Sequence, residues 1–331
     1  MKDILSKLFQ YGTLSHGEAA EVLNKIATGQ YNDTQIAVFL AVFLMRSITI
    51  EELSGFREAL KELAMPVDLG DYRTIDLCGT GGDGKNTFNI STLAAFVVAG
   101  SGAKVAKHGN YGVSSACGSS NVLEHFGYIF SNDQDKLRRE LDKAGICFLH
   151  APLFNPAMKN IAPVRKQLGI KTFFNILGPM INPSSPKAQL IGVFSLELAR
   201  MYNYLYQNLE VDYTIVHSLD GYDEISLTGP FKAVTRHGEE ILEPSDLGFP
   251  VLRPEEISGG STVEESARIF YKVLSGDGTD AQESVVIVNS GFALKTLHQE
   301  YSQTDCQEIA RESLKSGKAM KSFKKIISLR S

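Results

Sequence analysis

Residues 76–92 read Asp-Leu-Cys-Gly-Thr-Gly-Gly-Asp-Gly-Lys-Asn-Thr-Phe-Asn-Ile-Ser-Thr, and they give the clearest indication of the fold. The residues from Thr74 to Cys78 mostly favour β-structure and end in a glycine cluster. Ser91 is predicted to cap a helix that contains the apolar run Leu93 to Val98. The predicted order is therefore strand, loop and helix. Because its glycines let several backbone N–H groups converge on one anion beside the helix N-terminus, we interpret the loop as a phosphate-binding loop.

The charges around this loop also favour an anion. No carboxylate occurs from Gly84 to Leu123, whereas Lys85, Lys104 and Lys107 are present. A tight turn beneath a helix would account for one or two glycines, but hardly for four. The long stretch is therefore interpreted as an anion site.

Two common nucleotide-binding motifs fit the loop only in part. The dinucleotide fingerprint opens directly into a helix and places an acidic residue about 20 positions further on, whereas here Asn86 to Ile90 intervene and position 104 is lysine. The P-loop needs a Ser or Thr after its lysine to hold magnesium, and Asn86 stands there. We therefore favour another kind of phosphate site.

Composition limits the class of protein. The 331 residues are 43% apolar, and this length favours one large α/β domain with a smaller partner. A net charge of −5 argues against nucleic acid or a membrane surface as the main partner. The four cysteines form no Cys-x-x-Cys pair, no signal peptide is recognised, and the longest apolar run, Ile36 to Met45, is too short to span a bilayer. We therefore expect a cytoplasmic location.

The hydrophobic pattern changes near residue 70. Before it, capping boxes at Ser15 and Thr49 and the spacing of apolar residues predict only helices. One of them, Ile36 to Met45, is apolar on every face and is predicted to be buried on every side. After residue 70, short β-rich runs alternate with helical segments, which predicts a mainly parallel sheet covered by helices. The predicted strands are Thr74–Cys78, Lys104–Lys107, Ile146–Leu149, Gln189–Phe194, Tyr213–His217 and Ser284–Val288.

The predicted fold class is therefore α/β, with a small all-helical domain and a larger domain built on the sheet. We place the helical domain at residues 1–70, joined by helices from about 163–185, and the α/β domain at 71–331. Ligands of such sheets gather at the carboxyl ends of the strands. Because Gly79 and His108 each follow a predicted strand, their two loops are expected to face one crevice.

A second polar loop reads Lys-His-Gly-Asn-Tyr-Gly-Val-Ser-Ser from Lys107 to Ser115, followed by Gly-Ser-Ser at 118–120. A lysine, close-approaching glycines and hydroxyl donors suit a pyrophosphate or a ribose phosphate. Alone, the loop is explained equally well as a solvated turn that caps the next helix, and the first loop decides for phosphate. His108 keeps two interpretations, acid–base chemistry or support of the backbone.

Asp223 and Glu224 form an acidic pair after the strand that ends near His217. Adjacent side chains of a strand point to opposite faces, so the pair serves one site only from a turn, or else serves two metal ions. Magnesium takes one or two carboxylates together with substrate phosphates. A solvated acidic pair is the commonest explanation of such a dipeptide taken alone.

Arg165 lies in a helix-like stretch from Asn160 to Gly169. Its ordinary role there would be a surface salt bridge. Its planar guanidinium also suits bidentate capture of a carboxylate, so both interpretations remain open at this stage.

These motifs together resemble the anthranilate phosphoribosyltransferase family of tryptophan biosynthesis. The resemblance is carried by Gly-Thr-Gly-Gly-Asp from Gly79, by Thr-Phe-Asn-Ile-Ser-Thr from Thr87 and by Lys-His-Gly-Asn from Lys107. It continues through Pro156-Ala-Met-Lys159, Pro163-Val-Arg165, Phe174-Asn-Ile-Leu-Gly-Pro179 and Asp223-Glu-Ile-Ser226. It therefore spans most of the chain.

The resemblance implies transfer of the phosphoribosyl group from phosphoribosyl pyrophosphate (PRPP) to the amine of anthranilate. It further implies Mg²⁺ as cofactor and a homodimer joined through the helical domain, for which the all-apolar helix is independent support. Anthranilate is assigned to Gly79, Asn110 and Arg165, the metal to Ser91, Asp223 and Glu224, and catalysis to Lys107, Asp223 and Glu224. PRPP is assigned to Gly79, Gly82, Asp83, Thr87, Asn89, Ile90, Ser91, Thr92, Lys107, His108, Gly109, Asn110, Tyr111, Gly112, Val113, Ser114, Ser115 and Ser119.

Two positions depart from the family pattern. Many members carry arginine and a small residue where this chain has Tyr111 and Gly112, so one cation near the phosphates is missing. Many also have histidine where this chain has Asn155.

Two alternative functions are weighed against the transferase. A pyrimidine nucleoside phosphorylase of similar architecture would use phosphate as nucleophile, and the Asp-Glu pair would be unexpected there. A nucleic-acid-binding relative would need a basic stripe, which a net charge of −5 does not indicate.

Overall fold

The computed structural model describes residues 1–112 and 116–329, and the chain divides into two compact units. The helical unit combines Met1–Val67 with Ala151–Pro183. The α/β unit combines Asp68–His150 with the residues from Ser184 onward. The predicted fold class is confirmed, because the described part of the first unit contains only helices and the second contains the sheet.

The helices are numbered in chain order. They are α1 (Lys2–Phe9), α2 (His16–Ala27), α3 (Asp33–Met45), α4 (Ile50–Leu63), α5 (Ile90–Gly100), α6 (Ser119–His125), α7 (Gln134–Ala144), α8 (Ala151–Phe154), α9 (Ala162–Leu168), α10 (Phe174–Leu177), α11 (Leu196–Tyr206), α12 (Val263–Ser275), α13 (Asp280–Leu297), α14 (Gln303–Lys315) and α15 (Lys318–Ser328). Short 3₁₀ turns occur at Pro156–Asn160, Gly178–Ile181, Pro244–Leu247 and Pro254–Ile257.

The helical unit begins its helices where the sequence predicts. Ser15 and Thr49 accept hydrogen bonds from the N–H groups three residues on, so both predicted capping boxes are confirmed. Helix α3 buries Ile36, Phe39 and Leu40, but at its end Met45 is 87% exposed. No described element of this chain covers the last turn of α3. Because the prediction of burial on every side relied on a docking surface or a subunit contact as well as on the helical domain, it stays a prediction for that turn.

The α/β unit is built on one seven-stranded sheet in the order β3-β2-β1-β4-β5-β6-β7. The strands are β1 (Thr74–Gly79), β2 (Lys104–Gly109), β3 (Ile146–His150), β4 (Ala188–Gly192), β5 (Asp212–Ser218), β6 (Phe231–Thr235) and β7 (Gly238–Leu242). Strands β1 to β5 run parallel, and β6 and β7 add an antiparallel hairpin. The carboxyl ends of the five parallel strands consequently meet at one edge of the sheet.

One predicted strand is wrong and one hairpin was not predicted. Residues 284–288 lie inside α13, where Val285 to Val288 are at most 1% exposed. A short, continuous apolar run fits a buried helix as well as a buried strand, and the length of α13 decides for the helix. The β6–β7 hairpin was missed because β7 is largely exposed and carries two glutamates.

Helix α5 begins two residues earlier than its predicted cap allows. It starts at Ile90 with Asn89 as N-cap, so the prediction that Ser91 caps it is wrong. All but the two terminal-turn residues Ser91 and Gly100 are buried, as the apolar sequence requires. The earlier start places Ser91 in the first turn, and its hydroxyl hydrogen-bonds to the Glu224 carboxylate.

A buried carboxyl lies between α7 and β3. Glu140 is fully buried, accepts a 2.8 Å hydrogen bond from the Tyr128 hydroxyl and lies 3.8 Å from the Lys136 ammonium. Burial raises the pKa of Glu140 from 4.5 to about 7, because Tyr128 and Lys136 offset the loss of solvation only in part.

Glu140→Gln is therefore expected to stabilise the protein at alkaline pH. The pKa of Glu140 is higher in the folded state than in the unfolded state, so ionisation of Glu140 lowers the free energy of unfolding. This loss of stability is absent below pH 4.5 and is complete once the pH has risen through about 7. At pH 8 the variant is expected to gain on the order of 3 kcal/mol in free energy of unfolding, and nothing at pH 4.5. Urea unfolding at both pH values measures this. The exposed Glu210→Gln is the control, and an equal gain at both pH values would contradict the assignment.

Candidate active site

The phosphate-binding loop of the sequence analysis, called the glycine loop below (residues 79–86), begins at Gly79, the last residue of β1. Gly81, Gly82 and Gly84 have φ values of +66°, +80° and +74°, which other residues rarely adopt. The Gly81 N–H donates to Asp223 Oδ2 at 2.6 Å, and the Lys85 N–H donates to Asp83 Oδ1 at 2.9 Å. Two backbone N–H groups of the loop therefore bind carboxylates, one to Asp83 within the loop and one to Asp223, which follows β5.

The far end of the loop is fixed to the segment before α12. Asn86 Nδ2 donates to the Gly260 carbonyl at 2.5 Å, and the Gly259 N–H donates to the Asn86 carbonyl at 2.7 Å. Thr87 forms an isolated antiparallel bridge with Ser258. At the near end, the Thr80 N–H donates to the Gly192 carbonyl at 2.9 Å, so residues 81–85 form the span between the two anchored ends.

Asp223 and Glu224 lie in a turn after β5. Ser218 Oγ donates to the Glu224 carbonyl at 2.7 Å. Asn289 of α13 accepts a hydrogen bond from the Ile225 N–H through Oδ1 at 3.1 Å, and its Nδ2 donates to the Ile225 carbonyl at 2.9 Å. The turn, rather than a strand, is what lets both carboxylates belong to one site.

Two glycines at neighbouring strand ends make room for this turn. Gly79 of β1 and Gly192 of β4 are register partners. A methyl group at Gly79 would lie 2.5 Å from Asp223 Oδ2, and one at Gly192 would overlap the Asp223 carbonyl oxygen. The acidic turn therefore rests directly on the ends of the two central strands.

The electrostatics of the site are dominated by crowded acids. Burial raises the pKa of Asp223 well above its usual value, and the charges of Glu224 and Asp83 raise it further. Burial also raises the pKa of Glu224 to about 7, against the lowering effects of Lys107 and of hydrogen bonds from Ser91. The charge of Lys107 therefore does not balance the carboxylates of Asp83, Asp223 and Glu224.

Lys107 of β2 is the cation beside these acids. It is 2% exposed, and its ammonium donates to the Leu77 carbonyl at 2.5 Å and lies 3.4 Å from Ser91 Oγ. Its charge also lowers the pKa of Glu224. The structure thus brings together Ser91, Lys107, Asp223 and Glu224, which the sequence analysis assigned to metal and catalysis.

The second polar loop begins inside β2 rather than after it. His108 is 3% exposed and its N–H donates to Asp76 Oδ1 at 3.1 Å, so its backbone is fixed within the sheet. The carbonyl of Asn110 accepts the Ser120 N–H at 3.2 Å and Ser119 Oγ at 3.3 Å. A methyl group at Gly109 would overlap Ser119 Oγ, which shows how closely α6 approaches the strand end.

Tyr111 and Gly112 are held by α6. The Tyr111 hydroxyl donates to Glu124 Oε1 at 2.6 Å, and its ring meets His150 edge-on at 4.8 Å between centroids. The Gly112 N–H donates to Asn121 Oδ1 at 2.9 Å. The predicted contacts of Val113, Ser114 and Ser115 lie outside the described residues.

The remaining residues assigned to PRPP lie around the start of α5. Asn89 donates through Nδ2 to the Cys117 carbonyl at 2.9 Å, and its buried Oδ1 has no hydrogen-bond partner among the described residues. Ile90 and Thr92 are 1% exposed and face the core. Asn89 therefore offers an acceptor, whereas the side chains of Ile90 and Thr92 offer none to a ligand.

Arg165 belongs to the helical unit, on α9. Its Nη2 donates to Asn175 Oδ1 at 3.2 Å, and the guanidinium carbon lies 5.5 Å from the Phe174 ring centroid. Burial lowers the pKa of the guanidinium, and Nε has no hydrogen-bond partner among the described residues. A half-buried arginine with a spare donor fits carboxylate binding better than it fits a surface salt bridge.

The donor set fits a magnesium ion. Asp83, Asp223 and Glu224 crowd carboxylates together, and a divalent cation would relieve the repulsion that raises the pKa of Asp223. Within residues 1–112 and 116–329, no three His, Cys, Asp or Glu side chains are placed to hold a metal by themselves. Magnesium commonly completes its octahedron with water and substrate phosphate, so two carboxylates are enough.

Sequence reasoning missed several residues that build the site. Gly192, Ser218 and Asn289 fix the acidic turn, and Asp76 fixes His108. Asn289 was missed because its segment was predicted as a strand end. The signal available for Asp76 was a carboxylate within an otherwise apolar strand, which needs a buried partner.

Comparisons with known proteins agree with this architecture. Residues 71–320 match the glycosyl transferase family a/b domain, and residues 2–64 match the helical bundle domain of the same family. The chain therefore belongs to the glycosyl transferases with this two-domain organisation.

Individual relatives narrow the class. An anthranilate phosphoribosyltransferase of Flavobacterium johnsoniae is 61% identical over 326 residues, 98% of each chain. One of Cytophaga hutchinsonii is 53% identical over 99% of this chain and 100% of its own. The crystal structure of the Thermus thermophilus enzyme has a TM-score of 0.91 at 32% identity over 99% of each chain. The chain belongs to the anthranilate phosphoribosyltransferase family.

A further solved structure carries ligands. The Saccharomyces cerevisiae anthranilate phosphoribosyltransferase in complex with PRPP and Mg has a TM-score of 0.90 at 28% identity, covering 98% of this chain and 96% of its own.

None of the helices in the described part of the chain has the length and apolar character needed to span a bilayer.

Proposed function

We propose that this enzyme transfers the phosphoribosyl group of PRPP to the amine of anthranilate, giving N-(5-phosphoribosyl)anthranilate and pyrophosphate. The observation that carries the proposal is the convergence of the glycine loop on the buried Asp223-Glu224 turn, linked by the 2.6 Å bond from the Gly81 N–H. This pentosyl transfer belongs to tryptophan biosynthesis, as the names of the relatives indicate.

The sugar diphosphate is assigned to the α/β unit. Backbone donors from Gly79 to Asp83, the start of α5 from Thr87 to Thr92, and the second loop from Lys107 to Ser115 with Ser119 would surround it. Positive φ values at Gly81 and Gly82 support this role, because glycines in this conformation, which carry no side chain, let the loop backbone approach a phosphate closely. The side chains of Ile90 and Thr92 face the core, so we assign their part to the backbone.

Ser91, Asp223 and Glu224 would hold magnesium. The bound ion would supply positive charge to the pyrophosphate as the bond to the anomeric carbon breaks. The protein's own part is to orient the leaving group with backbone N–H groups and to keep water from the developing oxocarbenium ion. The Lys107 ammonium lies 3.4 Å from Ser91 Oγ, and its charge stabilises the ionised Glu224 carboxylate. Lys107 would therefore orient two of the three proposed magnesium ligands.

Anthranilate would be bound through its carboxylate by Arg165, with Gly79 and Asn110 contacting the rest of the molecule. The half-buried guanidinium, with Nε unpartnered among the described residues, supports this assignment. The amine of anthranilate is neutral, so it can attack once positioned, and no general base is needed for bond formation.

Arg165→Lys is expected to raise the KM for anthranilate by about tenfold while leaving the KM for PRPP within about twofold, because lysine cannot make a bidentate contact. Steady-state kinetics with each substrate varied in turn measures both values. The exposed neighbour Lys166→Met is the control for loss of a cation on the same helix. An equal rise in both KM values would contradict the assignment.

Three further assignments are proposed on partial support. The exposed end of α3, with Leu44 and Met45, supports a homodimer joined through the helical domain. The two compact units support domains at residues 1–70 and 71–331, with the segment from about 163–185 returned to the first. The cytoplasmic location predicted from the composition stays a prediction.

The alternatives are less well supported. The relatives carry the name of the transferase rather than of a phosphorylase. A nucleic-acid-binding relative would need a basic stripe, which a net charge of −5 does not indicate.

The test follows the loss of anthranilate fluorescence after PRPP is added, with and without Mg²⁺. Magnesium-dependent loss of fluorescence is the expected result. No loss with folded protein that binds PRPP would refute anthranilate as the nucleophile, and phosphorolysis of thymidine without magnesium would favour the phosphorylase instead.

A further inference from the structure

We propose that Lys85 binds the pyrophosphate group of PRPP and stabilises it as it leaves, and that the ring of Tyr222 holds the Lys85 ammonium when no substrate is bound. Lys85 lies in the glycine loop but was not among the residues assigned to a ligand. The inference rests on the proposed function, because it assumes that the loop binds a sugar diphosphate.

The position of Lys85 provides the first argument. It follows Gly84, where φ is +74°, and its N–H closes a turn onto Asp83 Oδ1 at 2.9 Å. The next residue, Asn86, is anchored to Gly259 and Gly260. The backbone of Lys85 is therefore fixed near the end of the loop, whereas its long side chain takes no part in this anchoring.

The contacts of the side chain provide the second argument. Lys85 is half-buried, yet among the described residues its ammonium forms no ion pair. It lies instead 4.6 Å from the centroid of the Tyr222 ring. Tyr222 directly precedes Asp223, whose carboxylate binds the Gly81 N–H of the same loop. An uncommitted cation is therefore held beside the acidic turn.

The charge balance of the site provides the third argument. Asp83, Asp223 and Glu224 bring three carboxylates, while Lys107 is 2% exposed and already donates to the Leu77 carbonyl. Lys107 therefore already uses part of its donor capacity within the protein, and one ammonium does not balance three carboxylates. Tyr111 occupies the position where many family members carry arginine, so it adds no cation. Lys85 is the cation that the first loop itself supplies.

The chemistry of the two partners explains why Lys85 would change contacts. A cation–π contact is weaker than a charge-assisted hydrogen bond from an ammonium to a phosphate oxygen. When pyrophosphate enters the loop, the ammonium would move from the ring to the phosphate. As the bond to the anomeric carbon breaks, the negative charge on the departing oxygen grows, and the contact strengthens.

The test measures binding of magnesium pyrophosphate by calorimetry, together with steady-state kinetics, for Lys85→Met and Lys85→Arg. We expect Lys85→Met to raise the dissociation constant for pyrophosphate by about tenfold and to lower kcat as well, whereas Lys85→Arg keeps most of the affinity. The KM for anthranilate is expected to stay unchanged. The exposed Lys272→Met on α12 is the control for loss of one charge from the same unit.

The outcomes separate this inference from the proposed function. If wild-type protein binds pyrophosphate and turns over anthranilate while Lys85→Met behaves like wild type, only the role of Lys85 is overturned. If wild-type protein binds neither PRPP nor pyrophosphate, both fall. If Lys85→Arg loses as much affinity as Lys85→Met, the charge is not what acts, and the proposal is overturned on that ground.

Discussion

Gly192→Ala is expected to lower kcat/KM by about a hundredfold or more, since a displacement of about 1 Å at reacting groups costs that much. The added methyl group would overlap the Asp223 carbonyl oxygen, which rests directly on the end of β4. Ser218 and Asn289 also hydrogen-bond to this turn, so the turn cannot move far without losing those hydrogen bonds. The acidic pair would therefore be displaced from the glycine loop.

The effect of this variant is expected to be steric and local. The φ of Gly192 is not in the positive range, so alanine brings no backbone strain of its own. Overpacking costs about 1–3 kcal/mol in free energy of unfolding and occasionally more. Because the methyl group would meet a backbone oxygen here, circular dichroism is needed to establish that the variant is folded before its kinetics are interpreted.

Kinetics and circular dichroism of Gly192→Ala are compared with those of Gly229→Ala. A methyl group at Gly229 meets nothing within 4 Å among the described residues, and its φ is also not positive. Near-wild-type kcat/KM in Gly192→Ala would show that the close approach at β4 does not position the turn.

The double variant Asp223→Asn, Glu224→Gln is expected to lose magnesium-dependent turnover by about a thousandfold, because electrostatic stabilisation of a leaving group is commonly the largest catalytic contribution. Both amides keep the shape of the acids but bring no charge to a cation. The loss of anthranilate fluorescence with and without Mg²⁺ measures the effect.

The same variant is expected to be more stable than the wild type in the absence of magnesium at pH 8. Burial and mutual repulsion raise the pKa values of both acids, so their ionised forms destabilise the folded state as the pH rises through those values. Thermal unfolding at pH 8 with EDTA should show a higher Tm for the variant. Added Mg²⁺ should then raise the Tm of the wild type alone.

A variant that loses activity and stability together would indicate misfolding instead of loss of a metal site. Asp220→Asn on the same turn, outside the proposed donor set, is the matched control. Unchanged magnesium-dependent turnover in the double variant would contradict the assignment of the metal to Asp223 and Glu224.

Much of the fold followed from local sequence. The capping boxes at Ser15 and Thr49 satisfy N–H groups within one helical turn, so their positions could be predicted without any tertiary contact. The strands β1 to β5 were predicted because β-branched and apolar runs ended in glycine or polar loops. The segment 284–288 failed because burial on all sides erases the periodicity that separates a helix from a strand.

Local sequence was sufficient to identify the chemical groups of the site: a glycine loop, a lysine at 107, an acidic pair at 223–224 and an arginine at 165. The contacts of these groups could be read only from the folded chain. Asp223 meets the Gly81 N–H across 142 positions of the chain, and the ends of β1 and β4 must both be glycine for that turn to fit. Local patterns carry no information on such distant contacts, because these depend on the order of the strands and on the hydrogen bonds between the turn and Asn289 of α13.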